Sequence, residues 1–134
     1  MPTSNSVVLV VEDEPLIRMN LLYLLEDAGF EALAAAHADE AIKILEYRRD
    51  VQIVLTDIQM PGPVDGIKLV RAIRRRWPSV ELILTSGLVG GLPQHDLPAG
   101  AVFVPKPIEG SRLLSAMQGL IGRSGRQEHY SPAA

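Results

Sequence analysis

The sequence predicts an α/β fold, a doubly wound five-stranded parallel sheet with helices on both faces. Three observations predict it. Five short apolar runs alternate with longer amphipathic ones. The short runs are close to continuously apolar, as strands buried on both faces must be. The chain has 134 residues, 47% hydrophobic and 22% charged, which is enough for a single self-sufficient core.

Each element has its own signature. Val7 to Val11 is a strand of four valines and a leucine. Pro15 can open a helix at its first turn, and Gly29 stands where a left-handed C-terminal cap belongs. Phe30 to Ala35 is a weaker strand, rich in alanine. Asp39 is the expected N-cap of a second helix whose inner stripe is Ala41, Ile42 and Leu45, ending near Tyr47. Val51 to Thr56 is a third strand. Met60-Pro61-Gly62-Pro63 reads as loop. Asp65 is expected to cap a third helix carrying Ile67, Val70, Ile73 and Trp77, which Pro78 stops. Val80 to Leu84 and Ala101 to Val104 are the fourth and fifth strands. Between them, 87–101 is rich in Gly and Pro, so the helix there is expected to be short or irregular. Ser111 to Ile121 is a closing helix, which bounds the domain at 1–121. Residues 122–134 lack apolar periodicity and are expected to form a flexible tail.

Composition removes several functions. The absence of cysteine excludes disulfides, thiolate metal sites and Cys nucleophiles. A net charge of −3 argues against a broad nucleic-acid footprint, and direct DNA binding is not expected. The Arg74-Arg75-Arg76 run is expected to fan around a solvated helix end. No apolar run approaches the roughly 18–20 residues of a membrane span. Residues 1–6 lack the pattern of a signal peptide, so a cytoplasmic protein is expected.

Right-handed crossovers put every strand's carboxyl end on one edge, where ligands of such sheets sit. The residues at those ends are Glu12-Asp13-Glu14, Asp57, Thr85-Ser86 and Lys106. Glu14, before Pro15, is expected only to cap the helix. The remaining carboxylates repel one another unless a cation joins them, and a hard ion with oxygen ligands, most naturally Mg²⁺, resolves the repulsion. A carboxylate can accept a phosphoryl group covalently, with the lysine and a hydroxyl on its oxygens. The edge therefore reads as a site for metal-assisted phosphoryl transfer to Asp57.

At these residues the chain resembles the receiver domains of two-component response regulators, over about 6–121. The matching pieces are VVLVVEDEP (7–15), VLTDIQMPG (54–62), DGIKLVRAIR (65–74), LILTSG (82–87) and FVPKPI (103–108). The resemblance implies a flavodoxin-like sheet of order 2-1-3-4-5 and a phosphoryl group taken, with Mg²⁺, from a histidine kinase or a histidine phosphotransfer protein. It makes Asp57 the acceptor, Asp13 a direct metal ligand, Glu12 a ligand through water, and Gln59 a ligand through its backbone carbonyl. Lys106 would hold a phosphoryl oxygen. Ser86, followed by the small Gly87, would be the switch hydroxyl, with Thr85 as the fallback, and Phe103 the rotating aromatic. A cis Lys106–Pro107 bond is expected. The loop after Asp57 is one residue longer than the usual form.

The expected function is that of a signalling phosphoacceptor rather than an enzyme, acting on a protein target through direct contact. A receiver cut from a hybrid histidine kinase would share this chemistry. An aspartyl-phosphate phosphohydrolase would need an acid two residues after the nucleophile, and that position is Gln59.

Overall fold

The structure is a computed structural model that describes residues 6–59, 66–87 and 98–130, with 123–130 described by backbone alone. Strands β1 (Val7–Val11), β2 (Glu31–Ala35), β3 (Val51–Asp57), β4 (Glu81–Ser86) and β5 (Val102–Pro105) form one sheet. All its pairings are parallel, and the order is β2-β1-β3-β4-β5. Helices α1 (Pro15–Asp27), α2 (Ala38–Tyr47), α3 (Gly66–Arg76) and α4 (Gly110–Tyr130) complete the described elements.

Local chemistry sets the boundaries. Pro15 stands at the start of α1, and the Glu14 carboxylate accepts the Leu16 N–H at 3.2 Å, a capping role as expected. Gly29 closes the same helix with φ +98°, a conformation that side chains resist. The N-cap of α2 is His37, two residues before the expected Asp39. Asp39 instead lies in the first turn beside Glu40, whose carboxylate accepts the Ala36 N–H at 2.6 Å.

Helix α4 continues past the expected end at Ile121 to Tyr130. Extending a helix that already exists adds a hydrogen bond for each residue fixed, and no apolar stripe is needed for that. The expected loop at 60–63, the Asp65 cap and the fourth-helix segment at 88–97 fall outside the described residues. Among the described residues, no helix is long and apolar enough to cross a membrane.

Two cores sandwich the sheet. On one face Leu9, Val11, Val54, Leu82 and Leu84 pack with Leu45 of α2 and Leu69 and Ile73 of α3. On the other, Val8, Val10, Ile53, Leu55, Ile83 and Val104 pack with Leu25 of α1 and Leu113 and Met117 of α4. Each fully buried Leu or Val contributes about 1.5–3 kcal/mol relative to leaving it exposed.

Arg74 is tied down rather than solvated. Its guanidinium donates to the carbonyls of Pro78 (3.0 Å), Val80 (2.9 Å) and Ala99 (3.2 Å), joining the end of α3 to the chain entering β5. Arg76 pairs with Glu46 at 2.9 Å and lies over the Trp77 ring, 4.4 Å from its centre.

Candidate phosphoacceptor site

Strand pleating aims the site. Side chains alternate between faces, and Val8 and Val10, Ile53 and Leu55, and Val104 all point into the core beneath α1 and α4. The next residues of the same parity are Glu12, Asp57 and Lys106. The ladder continues just far enough to hold them: Glu12 N–H donates to the Ala35 carbonyl, and Lys106 N–H to the Ser86 carbonyl, each at 3.0 Å.

The three polar groups meet. Lys106 Nζ lies 2.8 Å from Asp57 Oδ2 and 3.1 Å from Glu12 Oε1. Asp57 Oδ1 accepts the Gln59 N–H at 3.0 Å, so both acceptor oxygens are engaged. Glu12 and Asp57 are only 1% and 4% exposed, whereas Asp13 and Gln59 face solvent. Burial pushes the Glu12 carboxyl above the usual carboxylate range. Burial works against the Lys106 ammonium too, but the carboxylates of Asp57 and Glu12 outweigh it and leave its pKa raised. The Lys106–Pro107 bond is cis, as expected.

The donor set suits a hard cation. Carboxylate oxygens of Glu12, Asp13 and Asp57 lie within 4.8 Å of one another. Lys106 pairs with two of these three carboxylates, and the buried Glu12 Oε1 receives no directed hydrogen bond among the described residues despite its closeness to Lys106. Oxygen-only ligands, surplus negative charge and an underused buried oxygen fit Mg²⁺ or a similar ion.

The two hydroxyl candidates part company. Both are buried, but Ser86 shares its face with Leu84 and Phe103, while Thr85 is the register partner of Asp57 on the other face. Thr85 Oγ1 is buried without a hydrogen-bond partner among the described residues. Phe103 is half-buried against the core beneath α2 and α3.

Two residues escaped the sequence reading. Arg18 Nη1 donates to the Glu12 carbonyl at 2.8 Å and approaches that of Asp13 at 3.5 Å. Its signal was a lone cation in an otherwise apolar first turn after an acidic run. Gly66, whose N–H donates to the Ile58 carbonyl at 3.0 Å, begins α3 directly against the end of β3. A glycine opening a helix was the visible hint.

Comparison with known proteins agrees with this geometry. The family model of the response regulator receiver domain matches residues 8–118. The transcriptional regulatory protein AruR of Pseudomonas aeruginosa is 36% identical over 122 residues, covering 87% of this chain and 49% of its own length. The sensor kinase CckA of Brucella abortus is 33% identical over 122 residues, covering 89% of this chain but 13% of its own. This chain thus spans half or less of either relative. A crystal structure of a response regulator receiver domain protein from Clostridium thermocellum superposes with a TM-score of 0.82 at 29% identity, covering 90% of this chain and 97% of the other. The chain belongs to the response regulator receiver domain family of two-component systems.

Proposed function

We propose that this chain receives a phosphoryl group on Asp57 from a phosphohistidine of a histidine kinase or phosphotransfer protein, and signals by protein–protein contact in the cytoplasm. The observation that carries the reading is the 2.8 Å approach of Lys106 Nζ to Asp57 Oδ2 within a group of three carboxylates. In the transfer, an Asp57 oxygen bonds to phosphorus as the phosphorus–nitrogen bond of the donor breaks. The released imidazole nitrogen keeps the electron pair and takes up a proton. Lys106 then holds a phosphoryl oxygen, where its positive charge favours the transferring group. The Gln59 N–H steadies the other Asp57 oxygen.

Glu12, Asp13, Asp57 and the Gln59 carbonyl would hold Mg²⁺, which neutralises surplus negative charge on carboxylates and phosphoryl oxygens. Phosphorylation adds about 1.5–2 negative charges and three acceptor oxygens. Drawing the Ser86 hydroxyl toward them makes room for Phe103 to turn inward, and the outer surface changes with it.

The test is intact-mass measurement after incubation with Mg²⁺ and acetyl phosphate. Wild type should gain about 80 Da, one phosphoryl group. Asp57→Asn should gain nothing. A wild-type chain that stays unmodified while turning over phosphate esters would contradict the proposal.

A further inference from the structure

We propose that Arg18 is a positioning residue for the metal-binding turn, holding the backbone between β1 and α1 so that Glu12 and Asp13 present their carboxylates together. The inference rests on the reading that these residues bind Mg²⁺.

Beyond β1 the chain leaves the sheet, and the Glu12 and Asp13 carbonyls lose their regular ladder partners. Arg18 reaches back from the first turn of α1 to both, at 2.8 and 3.5 Å. Three other bonds fold the same turn: Glu12 Oε2 accepts the Glu14 N–H at 3.0 Å, Glu14 Oε1 accepts the Leu16 N–H at 3.2 Å, and Arg18 N–H donates to the Glu14 carbonyl at 2.9 Å. The first closes a ring that contains the Glu12–Asp13 peptide, yet none of these bonds holds that peptide's carbonyl oxygen. That peptide decides where the exposed Asp13 carboxylate points, and the guanidinium is the described group that holds its oxygen. Groups that orient metal ligands commonly govern affinity nearly as strongly as the ligands do.

Arg18 also brings a positive charge close to a cation site, which by itself opposes Mg²⁺. The two effects have opposite signs, so substitution separates them. Removing a merely repulsive charge tightens Mg²⁺ binding, whereas removing a brace weakens it. Lysine keeps the charge but lacks the planar fork.

The experiment measures Mg²⁺ affinity of the whole chain by calorimetry for wild type, Arg18→Met, Arg18→Lys and Asp13→Asn. Arg18→Met should weaken binding about tenfold, with Arg18→Lys between it and wild type. Acetyl phosphate labelling of Arg18→Met should need correspondingly more Mg²⁺ yet reach the wild-type rate at saturation. The Glu14 amide should also exchange hydrogen faster in Arg18→Met without Mg²⁺. Equal or tighter Mg²⁺ binding by Arg18→Met overturns the proposal, as does an unchanged Glu14 exchange rate. Failure of wild type itself to bind Mg²⁺, with Asp13→Asn indistinguishable from it, overturns the metal reading and this inference with it. Should Arg18→Met not fold, Arg18→Lys decides: wild-type affinity and exchange overturn the proposal.

Discussion

Gly66 and Asp57 are packed backbone to backbone. A Cβ added to Gly66 would overlap the Asp57 carbonyl oxygen and stand too close to Ile58 Cα. The first residue of α3 thus abuts the end of β3, and the peptide of Asp57 is part of that contact. The neighbour is main chain rather than a flexible side chain, so it has little freedom to retreat. Gly66→Ala should cost about 3 kcal/mol, the upper part of the range for overpacking. Urea unfolding measures this, and an unshifted midpoint would mean that α3 can start further from Asp57.

Lys106 and Glu12 should give opposite pH signatures. The Lys106 pKa is raised in the fold, so its contribution to stability is complete below the unfolded value near 10.5 and is lost as pH rises through the higher folded value. Glu12 is raised by burial, so ionising it opposes folding. Stability falls as pH rises from the unfolded value near 4.5 through the folded one, and stays reduced above it. Glu12→Gln without added metal should therefore be more stable than wild type at neutral pH, the advantage vanishing in acid below the unfolded value. Parallel denaturation curves across pH check this. An advantage that persists in acid would show that Glu12 burial is not its cause.

The fold was legible because its strands are so plainly apolar. Val7 to Val11 and Val51 to Asp57 are buried along most of their length, and no helix of that composition would stay dissolved on one face. Asp57, Lys106 and Glu12 were legible for a related reason: a parallel sheet collects strand ends on one edge, so charge at each end betrays a site. Long-range backbone contacts were not legible. Gly66 matters through a peptide nine residues earlier, and Arg18 through carbonyls, which are chemically identical in every residue. The His37 cap was missed because histidine places no side-chain hydrogen bond there, so the boundary is set by Glu40 and by packing. The end of α4 was missed because polar continuation of a helix leaves no hydrophobic period to read.

Thr85 and Ser86 should be distinguishable by substitution. The buried Thr85 hydroxyl has no partner among the described residues, which is unfavourable, so Thr85→Val should raise stability by about 1 kcal/mol and leave phosphorylation intact. Ser86→Ala should still bind Mg²⁺ and accept the phosphoryl group. It should lose the accompanying movement of Phe103, visible by fluorine NMR of fluorophenylalanine, of which the chain would carry two labels. A Phe103 signal that responds in Ser86→Ala but not in Thr85→Val would assign the switch hydroxyl to Thr85.

The ammonium of Lys106 sits where it offsets the carboxylates when metal is absent, so lysine and Mg²⁺ should compete in their effect on stability. With 3.1 and 2.8 Å contacts to Glu12 and Asp57, and a side chain 21% exposed, Lys106 is a largely buried partner of two nearly inaccessible acids. Breaking a fully buried pair costs about 3–5 kcal/mol, because the remaining charge is left uncompensated. Partial exposure of the lysine lowers the expectation for Lys106→Met to about 2–3 kcal/mol in metal-free buffer. On the proposed metal role, Mg²⁺ should stabilise wild type by about 2.7 kcal/mol at one hundred times its dissociation constant. At equal Mg²⁺ concentration the gain should be larger in Lys106→Met, where no ammonium opposes the ion, and close to zero in Asp13→Asn. Urea titrations with and without Mg²⁺, at ionic strength held constant with NaCl, separate this effect from general screening. A smaller gain in Lys106→Met than in wild type would mean that the lysine assembles the metal site instead of opposing it.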